Sequence, residues 1–357
     1  MNGTRPALLA DGRRIAENAA RVVERCEGAG IGVTAVTKGV CAREEIVRAM
    51  REGGSCELAD SRVANLAILK GLNTGLPLLL LRIPMLSEIP AVVSLADTVL
   101  VSMPETVRAL GEECRFRKTE RGVIVMMDLG DLREGLWMDL DDSMVSALKE
   151  CRRVRCRGLG VNFGCFGGSL PTAEKLRRLA AMGRELEKEL GYPLDRCSGG
   201  STSSLALLEK GLIPEGITNL RVGEGILLGT DVTNSRKIPW LHQGTMRLEA
   251  ELVEVRRKPS VPLGPLGADA FGRRPSFPDR GERLRAIAAV GRQDVPMEGL
   301  VPEAEGVEIL GGSSDHMLLD VEDMRPEPHT GDVMRFSPDY GAMLALATSP
   351  YVRFEVV

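Results

Sequence analysis

No stretch of the 357 residues stays apolar for the ~20 positions that a membrane-spanning helix needs, which argues against a membrane protein. Neither charge sign dominates: a net charge of -4, with both signs mixed along the chain, offers no basic field to nucleic acid. CxxC pairs are missing. The eight Cys residues, at 26, 41, 56, 114, 151, 156, 165 and 197, are scattered singly. That excludes zinc ribbons and a disulfide scaffold and predicts a reducing, cytoplasmic setting, with several Cys serving as small core residues. Histidine is scarce, with three residues, and no His/Cys/carboxylate spacing supports a metal site. The opening MNGTRPALLADGRRIAENA is polar and quickly helical, unlike a secretion signal. What remains is a chain with 43% apolar residues, long enough for a large core and two domains.

The stretch around which the rest is organised is Gly32–Cys41, GVTAVTKGVC. Val33–Thr37 are small or β-branched and read as a strand buried on both faces, ended by Gly39. Arg43–Met50 then read as a helix, so Lys38 sits at a strand's C-terminal end, where chemistry collects in parallel α/β folds. A lysine walled by apolar neighbours is poorly solvated, which favours its neutral, nucleophilic amine. On this stretch alone, a surface lysine at a strand end explains the pattern as well.

Helical spacing over 8–28 precedes that strand. Beyond it, helix and strand alternate through Cys56–Ser61, Leu78–Ile83, Val99–Ser102, Gly122–Leu129, Arg157–Asn162, Leu194–Ser198 and Asn219–Leu220. A strand about every 25 residues, for roughly eight units, predicts a (β/α)₈ barrel over residues 1–237 rather than an open sheet. From residue 238 the pattern changes. Met246–Arg256 alternates like an antiparallel strand, Lys258–Arg280 is rich in Pro, Gly and Arg, and several short strands follow. Residues 238–357 therefore read as a smaller, mostly β domain with a long exposed loop near 258–280.

Five runs carry candidate chemistry. In VIVMMDLGDLREG (123–135) a strand delivers Asp128, Asp131, Arg133 and Glu134 into one loop; the charges either solvate a turn or let Arg133 clamp a carboxylate or phenolate. GLGVNFGCFGG (158–168) places Asn162 at a strand end among glycines, as a cap or beside something flat. SGGSTSS (198–204) precedes a helix, and NLRVGEGILLG (219–229) offers a second turn of the same kind 20 residues later. Ser/Thr caps are common, but two such loops from adjacent late strands make the phosphate seat frequent in barrels. In the second domain GGSSDHMLLD (311–320) presents Ser313, Ser314, Asp315 and His316 on a Gly-rich turn.

Together, VTKGVC, ELADSR, MDLGDLREG, VNFGCFGG, SGGSTSS, NLRVGEG, GRQDV and GGSSDH resemble the alanine racemase-type (fold type III) pyridoxal-phosphate enzymes, and within them the ornithine racemase branch. The resemblance spans nearly the whole chain. It implies pyridoxal 5'-phosphate as cofactor, held covalently by Lys38, which also returns a proton on one face of the substrate. It places Arg133 near the cofactor phenolate and the substrate carboxylate. Asn162 falls where alanine racemases usually have a ring-stacking histidine. Ser201, Thr202, Ser203, the N–H groups of Gly223 and Glu224, and Tyr351 in SPYVRF correspond to the phosphate binders. Arg221 corresponds to the arginine facing the pyridine nitrogen, which it keeps unprotonated.

One departure is plain. Where the family carries a tyrosine base in GYxDG, this chain has GRQDV, and the guanidinium of Arg292 cannot serve as a base. His316 titrates in the right range for the opposite face, with Cys165 and Asp315 as rivals. Asp294 is a candidate anchor for a substrate amine, and the Ser314 N–H for the substrate carboxylate. The carboxylates Asp131, Glu134, Asp294 and Asp315 would suit a second amine, so the resemblance implies a racemase of a free basic amino acid such as ornithine, with a homodimer forming the site. Two other readings stand beside it. A cofactor carrier without turnover would look like the barrel alone; the other is a decarboxylase or metal-assisted aldolase on the same fold, of which the metal type would show a C-terminal HxC pair, which is absent.

Overall fold

The computed structural model describes residues 5–274 and 276–357. Contacts divide the chain into two units, residues 12–243 and a second made of the N-terminal strand with 244–357. That first strand, β1 (Ala7–Ala10), takes Leu8 and Leu9 out of the helix expected over 8–28. Its residues pair antiparallel with the strand at 246–249 and parallel with the one at 353–356, so the chain begins in the β unit.

The first unit alternates helix and strand: α1 (Gly12–Glu27), β2 (Gly32–Val36), α2 (Glu44–Glu52), β3 (Glu57–Asp60), α3 (Val63–Gly71), β4 (Leu78–Leu80), α4 (Ile89–Leu95), β5 (Thr98–Val101), α5 (Pro104–Phe116) and β6 (Arg121–Asp128). There follow a two-residue β7 (Leu136–Trp137), α6 (Asp142–Glu150), β8 (Val154–Val161), α7 (Ala173–Leu190), β9 (Arg196–Ser198), α8 (Leu205–Glu209), β10 (Asn219–Val222), α9 (Glu224–Leu228) and the small pair β11 (Thr230–Asp231) and β12 (Arg236–Lys237). Strands β2, β3, β4, β5, β6, β8, β9 and β10 run parallel in that order, and β10 pairs back onto β2, closing an eight-stranded barrel. The expected fold class holds. The helices bury one stripe each, as α1 does with Ile15, Ala19, Val22 and Cys26, at the 3.6-residue period. Val36, Ala59, Leu79, Leu100, Ile124 and Met126 fill the barrel between the strands.

In the second unit the 14-residue β13 (Met246–Pro259) is the spine. It pairs with β1, with β14 (Glu282–Ala288) and with β18 (Val333–Pro338). β15 (Leu300–Pro302) pairs with β18. The hairpin β16 (Glu308–Gly312) and β17 (Met317–Asp320) joins through β14. Helix α10 (Tyr340–Thr348) and β19 (Arg353–Val356) close this unit. Alternation of buried and exposed residues along β14 and β18 covers one face and leaves the other to water.

Candidate active site

Lys38 opens a single 3₁₀ turn, Lys38–Val40, just past the end of β2. The turn is pinned from the neighbouring strand: the Thr37 N–H donates to Ala59 O at 2.9 Å, and Thr37 Oγ1 to Asp60 Oδ2 at 2.7 Å. Cys41 and Ala42 follow in the left-handed region (φ 51° and 52°), turning the chain sharply away into α2. Burial pushes the Lys38 amine below its ordinary range; the positive charge of Arg133 adds to this, while Cys165, Asp60 and Glu134 oppose it. Asp60 is itself buried, which raises its carboxyl, and it also accepts from Arg62 N and Asn65 Nδ2, both at 3.0 Å. Sequence reasoning missed Asp60. The acidic residue closing ELAD, at the mouth end of a strand, was the available signal.

The loop after β6 is built by its own acids. Asp128 Oδ1 accepts the N–H groups of Gly130 and Asp131 at 2.9 Å and of Leu132 at 3.2 Å. The chain then returns alongside β6, where a Cβ on Gly135 (φ 143°) would lie 2.4 Å from Asp128 N, so only glycine fits. Between these points Arg133 forms a forked ion pair with Glu134, using Nε and Nη2. Asp131 differs from its neighbours in role. It is buried and accepts from Cys165 N and Phe166 N at 3.1 Å and Ser169 N at 3.2 Å, so it anchors the 165–169 loop rather than offering a charge to a substrate amine.

Deeper in the barrel lies Arg221, on β10, 3% exposed. It donates to Val161 O at 2.7 Å, to Asn162 Oδ1 at 3.0 Å and to Ser198 Oγ, all neutral acceptors. Burial lowers it to about 10, so it remains charged at neutral pH. Asn162 Nδ2 in turn donates to Glu134 Oε1 at 3.0 Å. Below Arg221, Ser198 Oγ donates to Asn219 Oδ1 (2.7 Å), Asn219 Nδ2 to Thr34 Oγ1 (3.0 Å), and Thr34 Oγ1 to Glu57 Oε2 (2.7 Å). Glu57 is 0% exposed and pairs with Arg196 at 2.9 Å.

The expected phosphate seat is two adjoining turns. Ser201, Thr202 and Ser203 lie at a 3₁₀ turn leading into α8, and Gly223 and Glu224 open α9. Thr202 Oγ1 accepts from Gly225 N at 3.1 Å, which ties the two turns together and leaves its own O–H to donate. First-turn N–H groups have no intrahelical acceptor, so both turns suit an anion. The Glu224 carboxylate is turned to Thr230 Oγ1 at 2.7 Å and Val232 N at 2.9 Å.

Residues 10–230 match the alanine racemase N-terminal domain family. The chain belongs to that family. It is 44% identical over 347 residues, 97% of each chain, to a lysine racemase of Thermotoga maritima. It is 39% identical over 354 residues, 99% of each chain, to an ornithine racemase of Acetoanaerobium sticklandii. Among solved structures, an alanine racemase from Bartonella henselae with covalently bound pyridoxal phosphate has the same fold, with a TM-score of 0.75, 15% identity, and 99% and 100% of the two chains covered.

The remaining residues expected from the family resemblance lie in the β unit, where three separate runs converge on one corner. Arg292 N donates to Ser313 O at 2.8 Å, and Gln293 Nε2 to Asp315 Oδ1 at 2.6 Å, bringing GRQDV against the turn of GGSSDH. Ser349 Oγ donates to the buried Asp294 at 2.6 Å and accepts from Tyr351 N at 3.1 Å, which adds SPYVRF. His316, Ser314 and Asp315 are exposed on that turn, as is the Tyr351 side chain. Arg292 bonds Gly312 O at 3.0 Å and Glu298 at 3.1 Å, a structural engagement that suits a residue unable to act as a base. Among the described residues no helix is long and apolar enough to cross a membrane.

Proposed function

We propose that the protein is a pyridoxal 5'-phosphate-dependent racemase interconverting the L and D forms of a free basic amino acid, of the lysine or ornithine kind. What carries this reading is a half-buried lysine amine, driven toward its neutral form at the end of the first barrel strand, in a chain alike over nearly its whole length to two racemases of basic amino acids. The donor set fits the cofactor: a lysine amine, a buried guanidinium with only neutral partners, and a hydroxyl-rich pair of turns for a phosphate.

Bound there, pyridoxal phosphate supplies an aldehyde for Lys38 to join and an electron sink for charge left at a substrate Cα. Ser201, Thr202, Ser203 and the N–H groups of Gly223 and Glu224 would hold its phosphate. Arg221, a cation with neutral partners, would keep a proton off the ring nitrogen. Asn162 and Cys165 belong to the same lining. Lys38, with its depressed affinity for protons, takes and returns a proton at Cα on one face at neutral pH. Arg133 orients the substrate carboxylate. His316 serves the other face, with Ser314 meeting the carboxylate and Asp315 a side-chain amine, while Asp294 holds the corner beneath them.

A homodimer supports this division of labour, with a second copy's β unit supplying His316. Met85, Leu86, Met103, Leu132, Trp137 and Phe166, all in the segments between a barrel strand and the helix that follows it, are exposed apolar side chains of the kind an interface covers. The test is exchange of Cα hydrogen for solvent deuterium across a panel of L-amino acids including lysine, ornithine and alanine. Exchange confined to the basic members is expected, and exchange with none refutes the racemase. Borohydride treatment and peptide mapping should tag Lys38; a label elsewhere refutes the cofactor assignment.

A further inference from the structure

We propose that Glu134 and Asn162 act as a positioning pair that couples the two arginines of the site, so that one carboxylate holds Arg133 at the rim and, through a fixed amide, Arg221 inside the barrel. This rests on the racemase reading for its consequence but not for its geometry. Glu134 takes both Nε and Nη2 of Arg133 in a fork, and its Oε1 also accepts Asn162 Nδ2 at 3.0 Å. On the other end of the same amide, Oδ1 accepts Arg221 Nη2 at 3.0 Å.

The direction of the amide is forced. A guanidinium has no acceptor and an ionised carboxylate no donor, so only one orientation of Asn162 satisfies both neighbours. The pair is therefore a one-way relay whose polarity is set by the charges at its ends. Among the described residues Arg221 donates to no carboxylate: its acceptors are Val161 O, Asn162 Oδ1 and Ser198 Oγ. The nearest compensation along hydrogen bonds is Glu134, one residue away through Asn162, with Glu57 farther along the Ser198–Asn219–Thr34 chain. On the rim side the fork leaves both Nη1 protons of Arg133 uncommitted to Glu134, at a fixed angle. Loss of the carboxylate would free Arg133 and let the amide turn, so that both cations lose their setting together. The charged and titratable groups that bear most on Lys38 include Cys165, Arg133, Asp60 and Glu134, so Glu134 also acts on the amine.

Four variants of the full-length protein test this: Glu134→Gln, Glu134→Ala, Asn162→Ala and the double Ala variant, each checked for a cooperative melt. In protein stripped of cofactor, acetic anhydride labelling of Lys38 against pH should move about half a unit or more to lower pH in Glu134→Gln, because one of two facing carboxylates is gone. It should stay in place in Asn162→Ala. In loaded protein each Ala variant should lose about tenfold or more in kcat/KM, and the double should fall within about threefold of the worse single. Losses that multiply in the double, or a Glu134→Gln midpoint that does not move, overturn the coupling. A wild type that takes up no cofactor and exchanges no Cα hydrogen overturns the racemase reading instead, while the labelling arm still decides the pair.

Discussion

Replacing Gly291 by alanine tests how the β-unit corner is held. A Cβ added at Gly291 would lie 1.8 Å from Ser314 O, 2.2 Å from Ser314 C and 2.3 Å from Asp315 N. Ordinary carbon contacts begin at about 3.5 Å, so the two backbones would have to part by roughly 1.5 Å. Neither is a flexible side chain that could swing aside. Such a movement breaks the bonds from Arg292 N to Ser313 O (2.8 Å) and Gln293 N to Ser314 O (3.2 Å). Two backbone hydrogen bonds at about 1 kcal/mol each, with about 1–3 kcal/mol of overpacking strain added, give about 3–5 kcal/mol, or roughly 12–20 °C in melting temperature for a unit of this size. His316 rides on the same turn, through His316 N to Ser313 Oγ at 3.2 Å and Ser313 N to His316 O at 2.8 Å. A displacement of about 1 Å at a reacting group costs on the order of 10²-fold in rate. Calorimetry and solvent-deuterium exchange measure the two effects. Borohydride tagging of Lys38, whose lysine belongs to the barrel unit, should continue. A variant with wild-type melting would refute the steric argument, and one destabilised yet fully active would remove His316 from the mechanism.

His316→Asn, which keeps size and hydrogen bonding, should lose at least ~10²-fold in racemisation with cofactor content unchanged; near-normal turnover would redirect the search to Cys165. Because the fold disfavours a proton on Lys38, the unfolded chain binds more protons between the folded value and the ordinary 10.5. Unloaded protein should therefore gain stability as pH rises through that window, and Lys38→Met should abolish the gain in urea titrations; an unchanged profile would contradict the burial argument. Glu57→Gln removes the fully buried carboxylate that pairs with the part-buried Arg196, so a loss of about 3 kcal/mol is expected. A melting point within a degree of wild type would show that the pair is solvated.

The barrel was legible because its strands are runs of β-branched and small residues that end at Gly or charge, and its helices keep the 3.6 period. Lys38, Arg133 and Asn162 could be picked from the sequence at or just beyond strand ends, and Thr202 as part of a hydroxyl-rich turn before a helix, whereas Arg221 stood out only through the family resemblance. The short β1 was not legible. ALLA continues the apolar spacing of the helix after it, and only pairing with residues more than 200 positions away makes it a strand. The boundary between units accordingly falls at 243/244 with a return to the N-terminus, where the sequence pattern placed it at 237/238. Nor could the sequence distinguish Asp131 from Glu134. Both sit in DLGDLREG, and the difference lies in partners 34 to 38 residues away for Asp131 and 28 away for Glu134. Convergence of GRQDV, GGSSDH and SPYVRF at one corner was likewise invisible, because each run alone reads as a surface turn.

Charge gives these pieces a common logic. Near Lys38 and Arg221 three carboxylates are committed to building backbone: Asp128 caps its own loop, Asp131 holds the next, and Asp60 pins the turn before Lys38. Glu134 instead meets a cation, Arg133, and is shared with Asn162. Lys38, Arg133 and Arg221 thus have this one ion-pairing carboxylate between them, in surroundings dry enough to depress both Lys38 and Arg221. A low dielectric magnifies that imbalance, and an empty site of this kind is costly unless anions fill it. A ligand that brings a phosphate and a carboxylate while taking up the lysine amine in neutral form removes the imbalance in all three places at once. On the proposed racemase reading, specificity for that class begins with how the aspartates are used in the loops, before any contact with the ligand is made.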